Sequence, residues 1–138
     1  MSTEQNKAIA TELLKALSTG DTAAMERIIA EDCQWWVMGF PRDRYLTRRQ
    51  MVRGVRAIID TVLPDGFNMT MRGITAESER VALEAESHSH TVAGKLYNNF
   101  YHFLFVFRDG TVIRGMEYTN PQHALEVLGE VVRKLGKN

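Results

Sequence analysis

The sequence has little that would tie it to a metal, a membrane or a nucleic acid. It contains one cysteine, Cys33, which excludes an internal disulfide and a zinc cluster of the usual cysteine spacing. Its 17 basic and 17 acidic residues give zero formal net charge, so no overall field favours nucleic acid or an anionic membrane. No run approaches the roughly 18 apolar residues of a membrane span, and the N-terminal stretch lacks the pattern of a signal peptide. We therefore expect a cytoplasmic protein that binds neither nucleic acid nor membranes.

What the sequence does contain is the material for one packed domain. A chain of 138 residues can bury a core without help from metals or disulfides. Hydrophobic residues make up 44% and charged residues 25%, which is ordinary for a globular protein. No repeat, low-complexity tract or linker interrupts the sequence. We predict a single domain over residues 1–138.

The clearest local pattern is a β-hairpin. Residues 97–107 and 111–119 are rich in aromatic and β-branched side chains, and Asp109-Gly110 separates the two runs. Such a pair of runs is a strong signal for antiparallel strands joined by a tight turn. Strands this long must curl, so the hollow side of their sheet needs a cover. A helical pattern starts directly after the second run, and the junction at residues 117–120 is where we expect chemistry.

The remaining segments give an α+β order of elements. Apolar residues recur at helical spacing in four segments, 5–18, 21–29, 47–62 and 121–135. Asp21, Thr47 and Asn120 stand where helix N-caps are expected. Short apolar or alternating runs predict further strands at 33–38, 67–75 and 80–90. Because no crossover helices separate the later strands, we predict an antiparallel sheet.

Residues 42–56 form a charge-biased segment with six arginines and one acid, Asp43. Arg49, Arg53 and Arg56 fall away from the apolar stripe of the helix predicted there. These arginines either form a solvated helix face or provide a docking surface for an anionic ligand or partner.

Several motifs extend over nearly the whole chain. They are Gly20-Asp21 between the first helices, RVALEAES at 80–87, G-K-x-Y-x-N-x-Y-x-F at 94–103, D-G-x-V at 109–112, and E-Y-x-N at 117–120. Together with the element order, they resemble the NTF2-like superfamily, and within it the SnoaL-like and ketosteroid-isomerase-like group. The resemblance implies a cone in which a curved antiparallel sheet wraps around the N-terminal helices, with a C-terminal helix and a deep apolar pocket. It also implies a homodimer formed through the outer face of the sheet.

The resemblance places candidate catalytic groups at Glu117, Tyr101 and His102. Glu117 matches the position of a catalytic Asp in enzymes that resemble limonene epoxide hydrolase, and a desolvated carboxyl there would have its pKa raised into the range of acid–base catalysis. The alternative is a structural carboxylate, paired with an arginine or capping backbone amides. His102 lies roughly where ketosteroid isomerases carry an acid that hydrogen-bonds an oxyanion, and a shift of one residue gives that role to Tyr101. The alternative for His102 is a buried structural histidine.

Other residues are expected to contact or orient a substrate. They are Trp36, Met38, Asn99, Met116 and Asn120. Residues 36–38 stand where the ketosteroid isomerases place a proton-shuttling carboxylate, and none of them can carry a proton, which disfavours that mechanism. Asn120 replaces the acid that ends the E-Y-x-D motif of the family; it can only donate and accept hydrogen bonds, and it is also a good helix cap.

Two polar pairs on the strand at 80–90 are expected to face outward. In the epoxide hydrolases an Arg and an Asp occupy the positions that Glu84 and Glu86 match here, so Glu84 replaces the Arg. His88 and His90 alternate like metal ligands, but no third ligand is evident, and we expect no metal site.

The function expected from these features is that of a SnoaL-like protein whose apolar pocket holds a small hydrophobic molecule. We expect a cofactor-independent isomerase, cyclase or epoxide-hydrolase-type enzyme that uses acid–base catalysis. The alternative is a non-catalytic ligand-binding or dimerisation module of the same fold.

Overall fold

The computed structural model describes residues 1–135. Along this part of the chain, two helices, a strand and a third helix precede a block of six strands, and two helices follow it. The helices of this part of the chain are α1 (Thr3–Thr19), α2 (Thr22–Ile28), α3 (Arg48–Thr61), α4 (Pro121–Leu128) and α5 (Glu130–Arg133). Its strands are β1 (Ile29–Val37), β2 (Met69–Glu77), β3 (Arg80–Ser87), β4 (Ser89–His90), β5 (Leu96–Tyr97), β6 (Phe100–Arg108) and β7 (Thr111–Thr119). The predicted α+β class is confirmed. Among residues 1–135, every helix is too short or too polar to span a bilayer.

Helices begin where the sequence predicts caps. The Asp21 carboxylate accepts from the N–H of Ala24 at 3.1 Å, and Thr47 forms a reciprocal capping box with Gln50. The side chain of Asn120 accepts from two backbone N–H groups at the start of α4. Each of these bonds satisfies N–H groups that have no partner inside the helix. As a result α4 starts immediately after β7 ends.

The sheet is mixed, with the strand order β1-β7-β6-β3-β2. Neighbouring strands from β7 to β2 are antiparallel, whereas β1 runs parallel to β7. The prediction of a wholly antiparallel sheet is therefore wrong for one pair. A parallel pair requires a long connection, and the whole chain between β1 and β7 provides it.

The predicted hairpin is formed by β6 and β7. Asp109 has φ 49° and Gly110 has φ 82°, and positive φ at both central residues is characteristic of the turn that joins tightly twisted strands. The predicted first arm, 97–107, is divided in the structure, because residues 98 and 99 separate β5 from β6.

The predicted boundaries of two other strands differ from those observed. The strand predicted at 67–75 is β2, which starts two residues later and contains a bulge between Met71 and Gly73. The bulge changes the alternation of side chains, and Met71 is 39% exposed. The strand predicted at 80–90 is divided into β3 and β4.

The C-terminal helix is interrupted at Gly129. Apolar spacing predicts one helix over 121–135, but Gly129 adopts φ 69° and ψ −136°, a conformation that residues with a side chain avoid. The chain therefore forms α4 and then the short α5. Val132 of α5 and Leu128 of α4 line the same cavity.

Two arginines of the arginine-rich segment form hydrogen bonds to backbone carbonyls near the ends of helices. Arg48 donates to the carbonyls of Glu26 and Ile29 at 3.3 Å, near the end of α2. Arg56 donates to the carbonyl of Gly20, next to the end of α1, at 2.9 Å. Arg49 and Arg53 are exposed. The exposure of Arg49 and Arg53 fits both a solvated face and a docking surface, whereas Arg48 and Arg56 have a structural role that neither sequence-based alternative included.

Candidate functional site

A cavity of about 230 Å³ lies between the sheet and helices α3, α4 and α5. Its polar side chains are Glu117, Tyr97, Tyr101 and Thr119, and the rest of its wall is apolar. Among the described residues, no Lys, Arg, His or Asp lines it. Such a wall suits a mainly apolar molecule and disfavours an anion, because a buried negative charge would lose its hydration without gaining an opposite charge.

Glu117 lies near the end of β7. Its partners in the neighbouring strands are both apolar: Phe103 on β6 and Val37 on β1. Burial raises the pKa of its carboxyl from 4.5 to about 7, because removal from water disfavours the charged form. Near neutral pH the carboxyl is therefore divided between its two protonation states.

One hydrogen bond holds the Glu117 carboxyl. The indole N–H of Trp35 donates to Oε1 of Glu117 at 3.2 Å. This bond favours the charged form and lowers the pKa of Glu117, so it offsets part of the effect of burial. Within residues 1–135 no arginine or lysine pairs with Glu117, so the salt bridge considered from the sequence is absent there.

Two tyrosine hydroxyls lie at the same end of the cavity. Those of Tyr97 and Tyr101 are hydrogen-bonded to each other, and Nδ2 of Asn99 donates to the Tyr97 hydroxyl at 3.0 Å. The amide of Asn99 has a fixed orientation because its Oδ1 accepts from the backbone N–H groups of Phe100 at 3.0 Å and Asn120 at 3.4 Å.

Asn99 favours one of two arrangements of the tyrosine protons. Tyr97 accepts from Asn99, and either tyrosine hydroxyl can donate to the other. Because the Tyr97 oxygen already accepts one hydrogen bond, donation from Tyr97 to Tyr101 is favoured, and the Tyr101 proton is then available to a molecule in the cavity. Burial raises the pKa of Tyr97 to about 12 and that of Tyr101 well above its ordinary value. Both hydroxyls therefore stay protonated at neutral pH, and Tyr101 is available as a donor.

The predicted site residues fall into two groups, and the first lies at or behind the cavity. Glu117, Tyr101 and Met38 line it. Asn99 is 2% exposed and lies behind the wall, where it contacts Tyr97. Asn120 is the exposed cap of α4 and does not line the cavity.

The second group faces away from the cavity, and its predicted roles there are wrong. His102 is exposed, because the alternation along β6 turns Tyr101 and Phe103 inward. The interpretation of His102 as a buried histidine is wrong for the same reason. Of the two residues considered as the donor, only Tyr101 reaches the cavity.

Trp36 and Met116 belong to this second group. Trp36 packs on the Tyr118 ring, with ring centroids 5.3 Å apart, and its indole N–H donates to the carbonyl of Pro41 at 3.1 Å. Met116 is the strand partner of Trp36, and its sulfur accepts from the Tyr118 hydroxyl at 3.9 Å. Neither residue lines the cavity. They extend the outer face of the sheet.

The acidic pair of β3 also lies outside, as predicted. Glu84 is exposed, and Glu86 accepts from Arg72 at 3.1 Å and from Asn98 at 2.9 Å. Glu117 is therefore the one carboxylate among the described residues that line the cavity. Within residues 1–135 no three His, Cys, Asp or Glu side chains are grouped closely enough to hold a metal ion.

Sequence reasoning assigned no role to Tyr97 and did not identify Trp35 as the partner of Glu117. Alternation from Phe103 back through Tyr101 would have suggested that Tyr97 shares their face, despite the break before β6. No comparable signal distinguishes Trp35 from its neighbour Trp36. Which of the two faces inward depends on the register between β1 and β7, where Trp35 pairs with Gly115.

The fold matches several solved structures. AclR from Streptomyces galilaeus superimposes with a TM-score of 0.76 at 20% identity, covering 94% of this chain and 98% of that one. An LEH-like epoxide hydrolase from M. tuberculosis gives a TM-score of 0.73 at 19% identity, with 96% of each chain covered. An NTF2-like protein from Burkholderia pseudomallei gives a TM-score of 0.72 at 14% identity, covering 93% of this chain and 98% of that one. At these identities the likeness shows the fold and leaves the reaction open.

A family model gives the assignment at the level of sequence. No curated protein matches the sequence significantly. The model for the SnoaL-like domain matches residues 10–115, which is most of the chain. The resemblance that the motifs suggested is thus confirmed, and the chain belongs to the SnoaL-like domain family.

Proposed function

We propose that the chain is a cofactor-independent isomerase or cyclase that encloses a small, uncharged, largely apolar molecule. Glu117 moves the proton, and Tyr101 donates a hydrogen bond to the oxygen on which charge develops. The observation that carries the proposal is the position of Glu117 in an apolar cavity, with its pKa raised to about 7. A carboxyl with that pKa serves as base or acid at neutral pH.

The two groups suit proton transfer next to a carbonyl. In the carboxylate form, Glu117 takes a proton from the carbon beside the carbonyl, and the Tyr101 hydroxyl stabilises the enolate oxygen. Where a carbon–carbon double bond adjoins that carbon, the enolate is a dienolate, and protonated Glu117 returns the proton to its far carbon, which gives an isomer with a shifted double bond. In a cyclase, the enolate carbon instead attacks a second carbonyl of the molecule, and the proton goes to the new alkoxide.

The lining favours these reactions over epoxide hydrolysis. The epoxide hydrolases that resemble this family use an Arg with two acids around a water molecule. Here Glu84 and Glu86 lie on the outer face of the sheet, and Glu117 is alone among the described lining residues. We therefore place isomerisation or ring closure ahead of hydrolysis.

The size of the cavity limits the substrate. A volume of about 230 Å³ equals that of roughly eight water molecules. A molecule of one or two rings fits that space, whereas a larger polycyclic one would extend out of the cavity through its open side. The neutral wall excludes substrates with a fixed negative charge at this end.

The test begins with a ligand screen. Small neutral cyclic ketones and diketones are added to the protein, and thermal unfolding is measured, because a ligand that binds the folded state raises the apparent stability. Compounds that stabilise the protein are then assayed for conversion by wild type, Glu117→Gln and the control Glu26→Gln, at an exposed position of α2. We expect Glu117→Gln to keep binding and lose turnover. Turnover by Glu117→Gln at the wild-type rate would overturn the assignment.

One observation favours a second candidate, a non-catalytic ligand-binding module. The cavity has a single carboxylate among its described lining residues, and the acid at the end of the family motif is replaced by Asn120. In this case wild type would bind compounds from the same screen without converting any of them. Measured turnover that depends on Glu117 excludes this candidate.

We also propose that two copies pair through the outer face of the sheet. Phe100 is 65% exposed on this face, and Nε of Arg114 is buried without a hydrogen-bond partner among the described residues. Glu84 lies on the same face and is exposed. A two-fold arrangement brings the apolar side chains together and lets an arginine of one copy approach a carboxylate of the other.

The oligomeric state is measured by size-exclusion chromatography with light scattering. We expect a dimer for wild type and a monomer for Phe100→Glu, since a buried unpaired carboxylate disfavours the interface. Val92→Glu is the control, because Val92 is 70% exposed but lies outside the main sheet. A monomeric wild type at tens of micromolar would contradict this pairing.

A further inference from the structure

The most specific contact of the cavity is the hydrogen bond between Trp35 and Glu117. We propose that Trp35 is a positioning residue, whose indole N–H holds Oε1 of Glu117 and so leaves Oε2 to face the bound molecule. Its part in a reaction rests on the proposed function of Glu117. The hydrogen bond itself is testable without any substrate.

Trp35 is itself firmly held. It is 1% exposed, and its backbone exchanges two hydrogen bonds with Leu46, at 3.1 Å and 2.7 Å. Its ring packs against Phe103 and Phe105, with centroids 6.4 Å and 5.8 Å away. A donor with so little freedom fixes its acceptor without the loss of side-chain entropy that a flexible donor would require.

Gly115 provides the space that Trp35 occupies. It is the strand partner of Trp35 on β7, two residues before Glu117. A Cβ atom at position 115 would lie 2.2 Å from Cε3 of the indole, which is closer than any side chain tolerates. The indole therefore lies over the backbone of β7, and from there its N–H reaches the Glu117 side chain.

The adjacent tryptophan shows that this arrangement is specific to position 35. Trp36 points to the other face of β1, and its N–H donates to the carbonyl of Pro41. Both indoles are buried and both N–H groups are bonded, but only that of Trp35 contacts an ionisable group. The chain contains two tryptophans, so one reports on the site and the other serves as an internal control.

The surroundings of Glu117 contain few groups that would titrate in the same range. Tyr97 and Tyr101 line the cavity with it, and burial raises the pKa of both, so they remain neutral. His123 of α4 stacks on the far side of Tyr97, with ring centroids 5.4 Å apart, and does not line the cavity. The nearby acids of β1, Glu31 and Asp32, are exposed.

The direct test follows the two indole N–H resonances by NMR between pH 5 and pH 9. We expect one resonance to shift with a single midpoint near neutral pH, because its acceptor changes from carboxylic acid to carboxylate, and the other to stay constant. Trp35→Phe identifies the shifting resonance. In Glu117→Gln the shift should disappear. A Trp35 resonance that is as insensitive to pH as that of Trp36, or that still titrates in Glu117→Gln, overturns the proposal.

Trp35→Phe also tests the consequence for Glu117. Loss of a donor to the charged form should raise the midpoint of Glu117 by about one pH unit, whereas Trp36→Phe should leave it unchanged. In a turnover assay, Trp35→Phe should lower kcat/KM about tenfold below the midpoint, where the basic form becomes scarcer by that factor, and much less above it. An equal loss at every pH would indicate a purely structural role and contradict the proposal.

The indole measurement also separates this inference from the proposed function. If the Trp35 resonance follows Glu117 and no compound is converted, the positioning contact stands and the proposed reaction fails. If compounds are converted with Glu117 as base while the resonance is insensitive, the reaction stands and the role of Trp35 fails. The first result supports the contact and the second overturns it.

Discussion

The side-chain amide of Asn99 donates a hydrogen bond to the hydroxyl of Tyr97, at 3.0 Å, from behind the wall of the cavity. Asn99 does not line the cavity, yet its hydrogen bond occupies one acceptor position of the Tyr97 oxygen and so favours donation from Tyr97 to Tyr101. In that arrangement the Tyr101 proton is left for a molecule in the cavity. This relationship leads to the first prediction.

Replacement of Asn99 by Ala should lower both stability and ligand binding. Buried groups of Tyr97 and Asn120 lose their partner, and we expect the free energy of unfolding to fall by about 1–3 kcal/mol. The arrangement in which Tyr101 donates into the cavity is also no longer favoured, so a compound found in the stabilisation screen should bind more weakly. Chemical denaturation and calorimetric titration measure the two effects. Asn98→Ala is the control, because Asn98 bonds to Glu86 and Ser87 instead; equal effects of both variants on ligand affinity would argue against the hydroxyl relay.

Replacement of Tyr101 by Phe should weaken binding of a ketone about three- to tenfold. That range corresponds to one ordinary hydrogen bond of about 1 kcal/mol. The ring remains, so its stacking on Phe103 is retained. His102→Ala, on the opposite face of β6, should bind the ketone as wild type does. A larger loss for His102→Ala than for Tyr101→Phe would reverse the assignment of the donor.

Glu117 should make the folded chain less stable as pH rises. Its pKa is about 7 when folded and near 4.5 when unfolded, so between these values the folded state holds more protons. The contribution of Glu117 to stability is therefore fully present below pH 4.5 and is lost as pH rises to 7, by up to about 3 kcal/mol. Urea denaturation at several pH values measures the effect. Relative to wild type, Glu117→Gln should gain about that amount between pH 4 and pH 8.

The exposed control separates Glu117 from all other titrating groups. Glu26→Gln should follow the wild-type dependence on pH, because the Glu26 side chain is exposed on α2, away from the cavity and from the outer face of the sheet. Should Glu117→Gln and wild type stay parallel over the whole range, the carboxyl is not desolvated in the folded chain.

The cavity should select ligands by charge. A neutral cyclic ketone is expected to raise the melting temperature, whereas an analogue that carries a carboxylate should not. The reason is that no cation lines the cavity among the described residues, and Glu117 adds negative charge above pH 7. Preferential stabilisation by the anionic analogue would point away from the cavity, to the exposed arginines of α3. Repeating the measurement with Arg49 and Arg53 replaced by Ala identifies that alternative.

Much of the fold could be predicted because local chemistry determines it. The turn at Asp109-Gly110 and the caps at Asp21, Thr47 and Asn120 depend on neighbouring residues, and they lie where the sequence places them. Gly129 is the exception, since the apolar spacing continues across it while its backbone does not. A glycine within a helical pattern is tolerated often enough that its presence alone did not predict the break.

Only the part of the site that depends on a single strand could be predicted from the sequence. Glu117 was identified from its place in a strand and from the family motif. Which residues accompany it depends on register and on the pairing of distant strands, which a sequence does not show. The parallel pairing of β1 with β7 turns Trp35 towards Glu117, and the alternation of β6 admits Tyr101 and excludes His102.

The central claim is that Glu117 is held away from water at a place where a bound molecule can reach it. Its most direct test is a carbon-13 NMR titration of the Glu117 carboxyl in the folded chain, with Glu117→Gln used to assign the resonance. We predict a midpoint near pH 7, which moves when a neutral ketone binds. A midpoint at or below 4.5, unchanged by any compound that stabilises the protein, would contradict it.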